Sequence, residues 1–390
     1  MSRRQRVLID ATAMPANHGG VARYIYGVLE GFPPESIDLF VACQPDDAPT
    51  VAAVVPWAHI LKTSPALRAR PLRMLWEQFV LPLRAVRHRI DVIHSPHYSY
   101  PLLWARRRVV TLHDATFFSH PLVHTSLKRL YFRGWIRRAW RSADAIVTPS
   151  AATASELSRY LGAPHGVVSV AHLGVNSSRF HPPTPDQLDD FRADHGLDDT
   201  HDWFAFLGTI EPRKNVGSLL DAYAAIRSEL GESAPRLLIA GARGWDVEAI
   251  SRLDAMGANS GVSSLGYVPV DHLAALLGGA VAVVYPSFGE GFGLPVVEAM
   301  SCGATVITTR HLAIPEVGGD AVLYTEPDAA SLREAMLNVL DDDAMRTDMS
   351  ARAIVRATKF DWAATALAHL RAYEKTPSDA AAAVAGFEES

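Results

Sequence analysis

The stretch from Ala280 to Met300, AVAVVYPSFGEGFGLPVVEAM, decides how this chain folds. Residues 280–285 are an unbroken apolar run, which suits a strand buried on both faces of a sheet. Residues 286–293 then bring three glycines, and Pro295 stands where a helix begins. Strand, glycine-rich loop and helix in succession make a β-α unit of a parallel sheet. Such a loop exposes backbone N–H groups, and the free amides and dipole of the following helix favour a phosphate there. Glu290 lies on the loop and Glu298 eight residues on, near the end of the helix's first turn. Both carboxylates are suited to accept hydrogen bonds from vicinal hydroxyls flanking that phosphate. The plainer alternative is a tight turn carrying two solvated acids.

The same alternation extends to either side. Strands are expected over 7–10, 39–43, 92–95, 109–113, 145–148 and 167–171, with helices over 21–31, 72–88, 127–142 and 151–161. The rhythm then restarts, with strands at 204–207, 236–240, 262–265, 281–285 and 305–308. Helices at 216–229, 247–256, 270–277, from 295, and over 329–340 separate them. Alternating strands and helices predict an α/β chain. Its 390 residues are too many for one ordinary core and suit two. The expected architecture is therefore two Rossmann-like, doubly wound parallel-sheet domains, residues 1–175 and 176–360. Residues 179–202, with three prolines and seven aspartates, are expected to connect them. Residues 345–373 are helical by composition, with 361–375 expected to pack back toward the first domain and 376–390 to form a frayed tail.

Ligands of such sheets bind beyond the carboxyl ends of the strands, so the loop after each strand matters most. After the strand at 204–207 comes Gly208-Thr209-Ile210-Glu211-Pro212-Arg213-Lys214-Asn215. Arg213 and Lys214 precede a helix that Asn215 is placed to cap. Cations at a helix N-terminus oppose its dipole and call for an anion, which a diphosphate would supply. The alternative is two exposed basic residues on a loop.

Composition narrows the classes further. Hydrophobic residues make up 48% of the chain, charged residues 20%, and mean hydropathy is +0.06 with no run long enough to span a membrane. The first residues lack the apolar core of a signal peptide, so a cytoplasmic chain is expected. Cys43 and Cys302 fit neither a disulfide framework nor a zinc spacing and are expected to be buried thiols. The net charge of −5 hides a split: residues 1–175 hold 21 Lys/Arg against 11 Asp/Glu, a net +10, and the remainder holds 16 against 31, a net −15. A basic first half suggests an anionic partner. Within it, 68–89 and 127–141 interleave arginines with Leu, Trp and Phe, as a helix lying on an anionic membrane surface would; a packed helix with an ordinary charged face is the alternative. No nucleic-acid motif accompanies the charge.

Other constellations carry less. His94 and His97 lack a third metal ligand at a recognisable spacing, so His94 is expected at a strand end facing the ligand cleft. His120 and His124 straddle Pro121, which disfavours a helical metal pair. Gly289, Gly291 and Gly293 do not form the dinucleotide fingerprint. Asp341-Asp342-Asp343 is the closest match to a cation-binding D-x-D and is expected to be a solvated turn.

The loop 208–215 with its Arg-Lys pair, and the two glutamates eight residues apart within GEGFGLPVVEAM, resemble family 4 retaining glycosyltransferases of the GT-B fold. The resemblance extends over most of the chain: Gly19-Gly20 resembles the family's glycine loop, His113-Asp114 its strand-end histidine, Tyr267-Val268 its nucleobase segment, and 172–176 its hinge. It implies that Arg213 and Lys214 neutralise the diphosphate of a nucleotide sugar, that Glu298 binds ribose hydroxyls, and that Glu290 holds hydroxyls of the transferred sugar. It further implies that Gly208 belongs to the donor site, and that amides of Phe292, Gly293 and Leu294, with Gly291 in the same loop, bind sugar and phosphate oxygens. Gly19 and Gly20 would close over the donor, and His113 would touch the sugar. No metal or other cofactor is implied, because fixed cations and helix amides aimed at the leaving diphosphate can replace a metal; the acceptor hydroxyl is deprotonated by the donor's own phosphate, so no dedicated general base is required, and the anomeric configuration is retained.

Within that family the first domain, with Asp10-Ala11-Thr12, His94-Ser95-Pro96 and 110–114, resembles bacterial mannosyltransferases of surface-polysaccharide assembly. GDP-mannose is the first donor expected, bound by residues 176–360, and a glycan or lipid-linked acceptor, bound by residues 1–175, the second substrate. UDP- or dTDP-sugar transfer, inverting transfer, a GT-B sugar-nucleotide epimerase, and a sugar-nucleotide-binding protein at a membrane surface remain as alternatives.

Overall fold

A computed structural model describes residues 3–14, 19–121, 125–198 and 202–374. The expected tail at 376–390 and His124 lie outside the described residues. The chain divides into two compact domains, one made of residues 1–174 with the chain from Asp361 onward, the other of Val175–Phe360.

The first domain holds seven parallel strands: β1 (Arg6–Asp10), β2 (Asp38–Cys43), β3 (His59–Lys62), β4 (Val92–Ser95), β5 (Arg107–Thr111), β6 (Ala145–Thr148) and β7 (Val167–Val170). Their order is β3-β2-β1-β4-β5-β6-β7. The strands are largely buried, as expected of a sheet with helices on both faces. On one face Leu8, Phe40 and Ile93 pack with Trp76 and Leu81, while Val110 and Ile146 pack with Ile136 and Trp140. The other face is covered by the helices Gly20–Gly31 and Trp362–Glu374, which touch along their length. That contact needs glycine: a β-carbon on Gly27 would lie 2.3 Å from the Trp362 ring, and one on Gly31 2.1 Å from its carbonyl oxygen.

The second domain holds β8 (Trp203–Leu207), β9 (Arg236–Ala240), β10 (Val262–Gly266), β11 (Ala282–Tyr285), β12 (Val306–Thr308) and β13 (Leu323–Tyr324), all parallel in the order β10-β9-β8-β11-β12-β13. In both sheets the winding reverses beside the first strand, between β1 and β4 and between β8 and β11.

Several expectations change. Residues 179–202 are no bare connection: a helix, Pro185–Asp194, starts at a capping box between Thr184 and Gln187 and buries Phe191 against Trp203. The single helix expected over 72–88 is three pieces, Arg70–Leu75, a π-turn at Trp76–Val80, and Leu81–Arg87. The helical run 345–373 is two helices, Asp343–Ala357 and Trp362–Glu374. The aspartate run is exposed, as expected, and joins two helices: Asp341 ends Ala329–Asp341, and Asp342 accepts from the Met345 amide at 2.8 Å and caps the next. Cys43 and Cys302 are buried free thiols.

Candidate functional site

The two loops singled out from sequence leave adjacent strands. β8 and β11 are hydrogen-bonded neighbours at the point where the second sheet reverses, and the loops 208–215 and 286–293 follow their carboxyl ends. Chain direction therefore brings Arg213, Lys214 and Glu290 together. Glu290 Oε1 accepts from Lys214 Nζ at 2.6 Å, Ser287 Oγ at 2.7 Å and Tyr285 Oη at 2.9 Å, while Oε2 pairs with Arg213. Arg213 also donates to Glu211 Oε1 at 2.5 Å and to the Gly289 carbonyl at 2.7 Å, and Lys214 also bonds Tyr285 Oη. The Phe288 amide donates to the Arg213 carbonyl at 2.9 Å, which ties one loop to the other.

Charge decides the state of this cluster. Burial alone would raise the Glu290 carboxyl, but Arg213 and Lys214 outweigh it and hold the group at about 2. Burial pulls the Lys214 ammonium down, against Glu290, which supports it. Arg213 is held well above its ordinary range, since Glu290 and Glu211 overcome its own burial. Two cations and two carboxylates balance. The anion that Arg213 and Lys214 call for is thus supplied by the chain itself in this structure. Glu211, Tyr285 and Ser287 join the site unannounced; the only sequence signal was their position inside or beside the two loops.

Asn215 stands at the start of helix Val216–Leu230, but in a left-handed conformation, and its side chain donates to the Pro327 carbonyl at 2.7 Å instead of capping the helix. Gly208 donates its amide to Ala240 at 2.9 Å. Gly293, at φ +107°, is the N-cap of helix Leu294–Ser301, and a side chain is disfavoured there by the backbone itself. Gly291 and Leu294 are half-buried and Phe292 is buried. Glu298 is buried in the second turn of that helix, one residue beyond the expected first turn. Val268 is buried, whereas Tyr267 is 80% exposed.

The remaining site residues belong to the first domain. Gly19 and Gly20 open the helix Gly20–Gly31; a β-carbon on Gly20 would meet no described atom within 4 Å. His113 donates Nε2–H to the Pro96 carbonyl at 2.7 Å, stands edge-on to Tyr24 at 4.8 Å, and is kept neutral by burial. His94 does not face a ligand space. It is buried under the covering helices, with Nε2 bonded to Thr111 at 2.9 Å and Nδ1 to Tyr373 at 2.9 Å, in a network that continues through Tyr24 to His369.

The segment Arg70–Arg87 presents apolar side chains outward. Leu72, Leu75, Phe79, Leu83 and Val86, at helical spacing, are 47–70% exposed. Its one acid, Glu77, is buried, while Arg70 and Arg87 are exposed. Leu127 and Leu130 are exposed on the helix Ser126–Ser142, whose Tyr131 donates to Met74 Sδ at 3.3 Å. No helix among the described residues is long and apolar enough to cross a membrane.

Comparison with known proteins agrees with this geometry. The family model described as Glycosyl transferases group 1 matches residues 188–356, and that described as Glycosyltransferase Family 4 matches residues 18–179. The chain is 33% identical over 314 residues to the O-antigen chain mannosyltransferase B of Escherichia coli, covering 79% of this chain and 81% of that protein. It is 29% identical over 299 residues to a D-inositol 3-phosphate glycosyltransferase of Pseudarthrobacter chlorophenolicus, covering 73% and 70%. Among solved structures, Anabaena HepE in complex with UDP-glucose superposes with a TM-score of 0.72 at 18% identity, covering 94% of this chain and 98% of that one.

Proposed function

Since the chain belongs to glycosyltransferase family 4 and has the GT-B fold, we propose that it transfers mannose from GDP-mannose to a glycan or lipid-linked acceptor, with retention of configuration and without a metal ion. The observation that carries this reading is the Arg213–Lys214 pair at the β8/β11 reversal beside a glycine-rich helix start. Cleaving a glycosyl phosphate leaves charge on the diphosphate, and fixed cations aimed there stabilise the transition state more than the ground state. Glu290 engages both cations and Glu211 engages Arg213, so donor binding turns Arg213 and Lys214 from these carboxylates toward the diphosphate and frees Glu290 for hydroxyls of the transferred sugar. Phe292, Gly293 and Leu294 add backbone amides at the helix start, Glu298 takes ribose hydroxyls, and Tyr267 and Val268 meet the base. A β-carbon on Gly20 would meet no described atom within 4 Å, which suits close approach of the donor beside Gly19, and neutral His113 is suited to a sugar hydroxyl.

Mannose and GDP rest on likeness to a mannosyltransferase. The likeness to a structure bound to UDP-glucose supports UDP-sugar as the second reading. Incubation of the purified protein with GDP, UDP and dTDP separates them: the cognate nucleotide at about 100 times its Kd adds about 2.7 kcal/mol of stability. Thermal protection by UDP alone excludes the GDP reading, and protection by none defeats the donor site.

The outward apolar stripe over 72–86, bordered by arginines, supports attachment to an anionic bilayer, where an acceptor carried on a lipid would be met. Sedimentation with phosphatidylglycerol vesicles tests this. Binding at low salt that is weakened by Phe79→Ser and Leu83→Ser supports attachment; no binding at any salt concentration refutes it.

A further inference from the structure

One polar side chain of the cation cluster is carried by a strand rather than by a loop. Ser287 and Glu290 lie on the loop after β11, and Arg213 and Lys214 on the short turn Pro212–Lys214 after β8. Tyr285 is the last residue of β11. Its backbone pairs with Thr308 of β12, the Thr308 hydroxyl donates to its carbonyl at 2.8 Å, and its ring stacks with Phe206 at 6.1 Å. The side chain is fully buried, so the sheet, and neither loop, sets the position of its hydroxyl.

That hydroxyl joins two opposite charges. It accepts from Lys214 Nζ and donates at 2.9 Å to Glu290 Oε1, the oxygen that also accepts from Lys214 at 2.6 Å. The ammonium stands 4.6 Å from the centre of the Tyr285 ring, a cation–π contact that strengthens the hold. An ammonium has three N–H bonds; Tyr285 and Glu290 take two of them, which leaves one for a phosphate oxygen. Lys214 faces Glu290 and Glu211, which favour its charge, and Arg213, which opposes it together with burial. Burial, and after it the charge of Glu290, keeps the Tyr285 hydroxyl protonated well beyond its ordinary range, so it stays a neutral group that accepts and donates at once. Once Glu290 turns to a sugar, the bond to Tyr285 is what still offsets the burial of Lys214.

We propose that Tyr285 is a positioning residue, the pivot on which Lys214 exchanges Glu290 for a phosphate oxygen of the donor. It acts through Lys214 and need not touch the donor itself. The assignment rests on the transferase reading. Tyr285→Phe keeps the ring under the ammonium and deletes only the hydroxyl. Calorimetric titration of the full-length protein with GDP, and in parallel with UDP, is run from pH 6.5 to 9; the ratio of wild-type to variant affinity at each pH cancels titration of the nucleotide. Loss of an acceptor makes the ammonium easier to deprotonate, so this ratio is expected to grow by about 10-fold toward the basic end, the equivalent of a shift of about one pH unit. Ser287→Ala removes another donor to Glu290 without touching Lys214, so it is expected to weaken binding by the same factor at every pH. A ratio for Tyr285→Phe that stays constant, or one for Ser287→Ala that grows equally, overturns the pivot. In the nucleotide-free protein, Tyr285→Phe and Lys214→Met are combined in a double-mutant cycle read by chemical denaturation, with a coupling of about 5-fold or more expected in the unfolding constant. Additive effects in that cycle overturn the pivot as well. Binding of neither nucleotide by the wild type, with the coupling intact, overturns the transferase reading instead.

Discussion

The two sheets reverse their winding in the same way and put opposite chemistry at the reversal. Beyond β8 and β11, two cations are bound by two carboxylates, and the glycine-rich loop leads into helix amides. Beyond β1 and β4, two carboxyl groups compete for one arginine, and a serine hydroxyl lies alongside. Sheet topology fixes where a ligand sits in each domain, and loop residues determine which ligand. Under the proposed function the first of these sites takes the nucleotide sugar. The split in net charge does not extend to this site: within the acidic half, two cations and two carboxylates balance, so overall sign is a poor guide to local charge.

The largest effect that tests the contrast is catalytic. Lys214→Ala removes a cation from the proposed nucleotide site, and loss of one such stabilising group costs about 10²–10³ in rate. Transfer from GDP-mannose by the variant is expected to fall by that factor. A rate within a few-fold of wild type would remove Lys214 from the diphosphate clamp.

Next comes stability. Glu290→Ala leaves two buried cations with only Glu211 and is expected to destabilise the second domain by about 3–5 kcal/mol, read by chemical denaturation. A loss below 1 kcal/mol would mean that the pair is held by solvent rather than by Glu290.

The two carboxyl sites should also differ in pH dependence, with opposite signs. Glu290 sits at about 2 when folded against an ordinary 4.5, so its contribution is fully present above pH 4.5 and is lost as pH falls toward 2. Asp10 is shifted the other way, chiefly by burial. Above its folded value the carboxylate must be ionised inside the fold, a cost absent below 3.8 where both states are protonated. Asp10→Asn keeps an acceptor for the Thr12 amide and removes that cost. Its stability relative to wild type should therefore rise as pH increases from 4 to 7.5, whereas Glu290→Gln should fall relative to wild type as pH increases from 2 to 4.5 and stay level above that. Equal slopes for both variants would erase the distinction.

Much of this was legible in the chain because it depends on local pattern. The loops 208–215 and 286–293 announce themselves by glycine, charge and a preceding apolar strand, and both lie where expected. What escaped depends on tertiary contact. The edge strands β3 and β13 are short and only half-buried, so they carry little apolar signal. The break between the last two helices falls at 358–361, a stretch without glycine or proline, and is set by the packing of Trp362 onto Gly27 and Gly31. His94 looked like a ligand-facing histidine because its partners Thr111 and Tyr373 are remote in sequence. The π-turn at Trp76–Val80 leaves no mark in a helical period, yet it presents Glu77 to Arg73 and Ser99.

The smallest effects compare the two glycines that open helices at these sites. Gly293 has φ +107°, and a β-carbon there would lie 2.8 Å from Ile314 Cδ1, so Gly293→Ala is strained by both backbone and packing. A loss of about 1–3 kcal/mol is expected, measured by denaturation. Gly20 is the reverse case: it is helical, lies outside the left-handed region, and a β-carbon there would meet no described atom within 4 Å. Gly20→Ala narrows the unfolded ensemble without strain and should gain about 0.4–1 kcal/mol. If the space at Gly20 serves close approach of the donor, the same variant must also raise the KM for GDP-mannose. A variant more stable and equally active would show that glycine at 20 answers to neither folding nor the donor, and would remove Gly20 from the site.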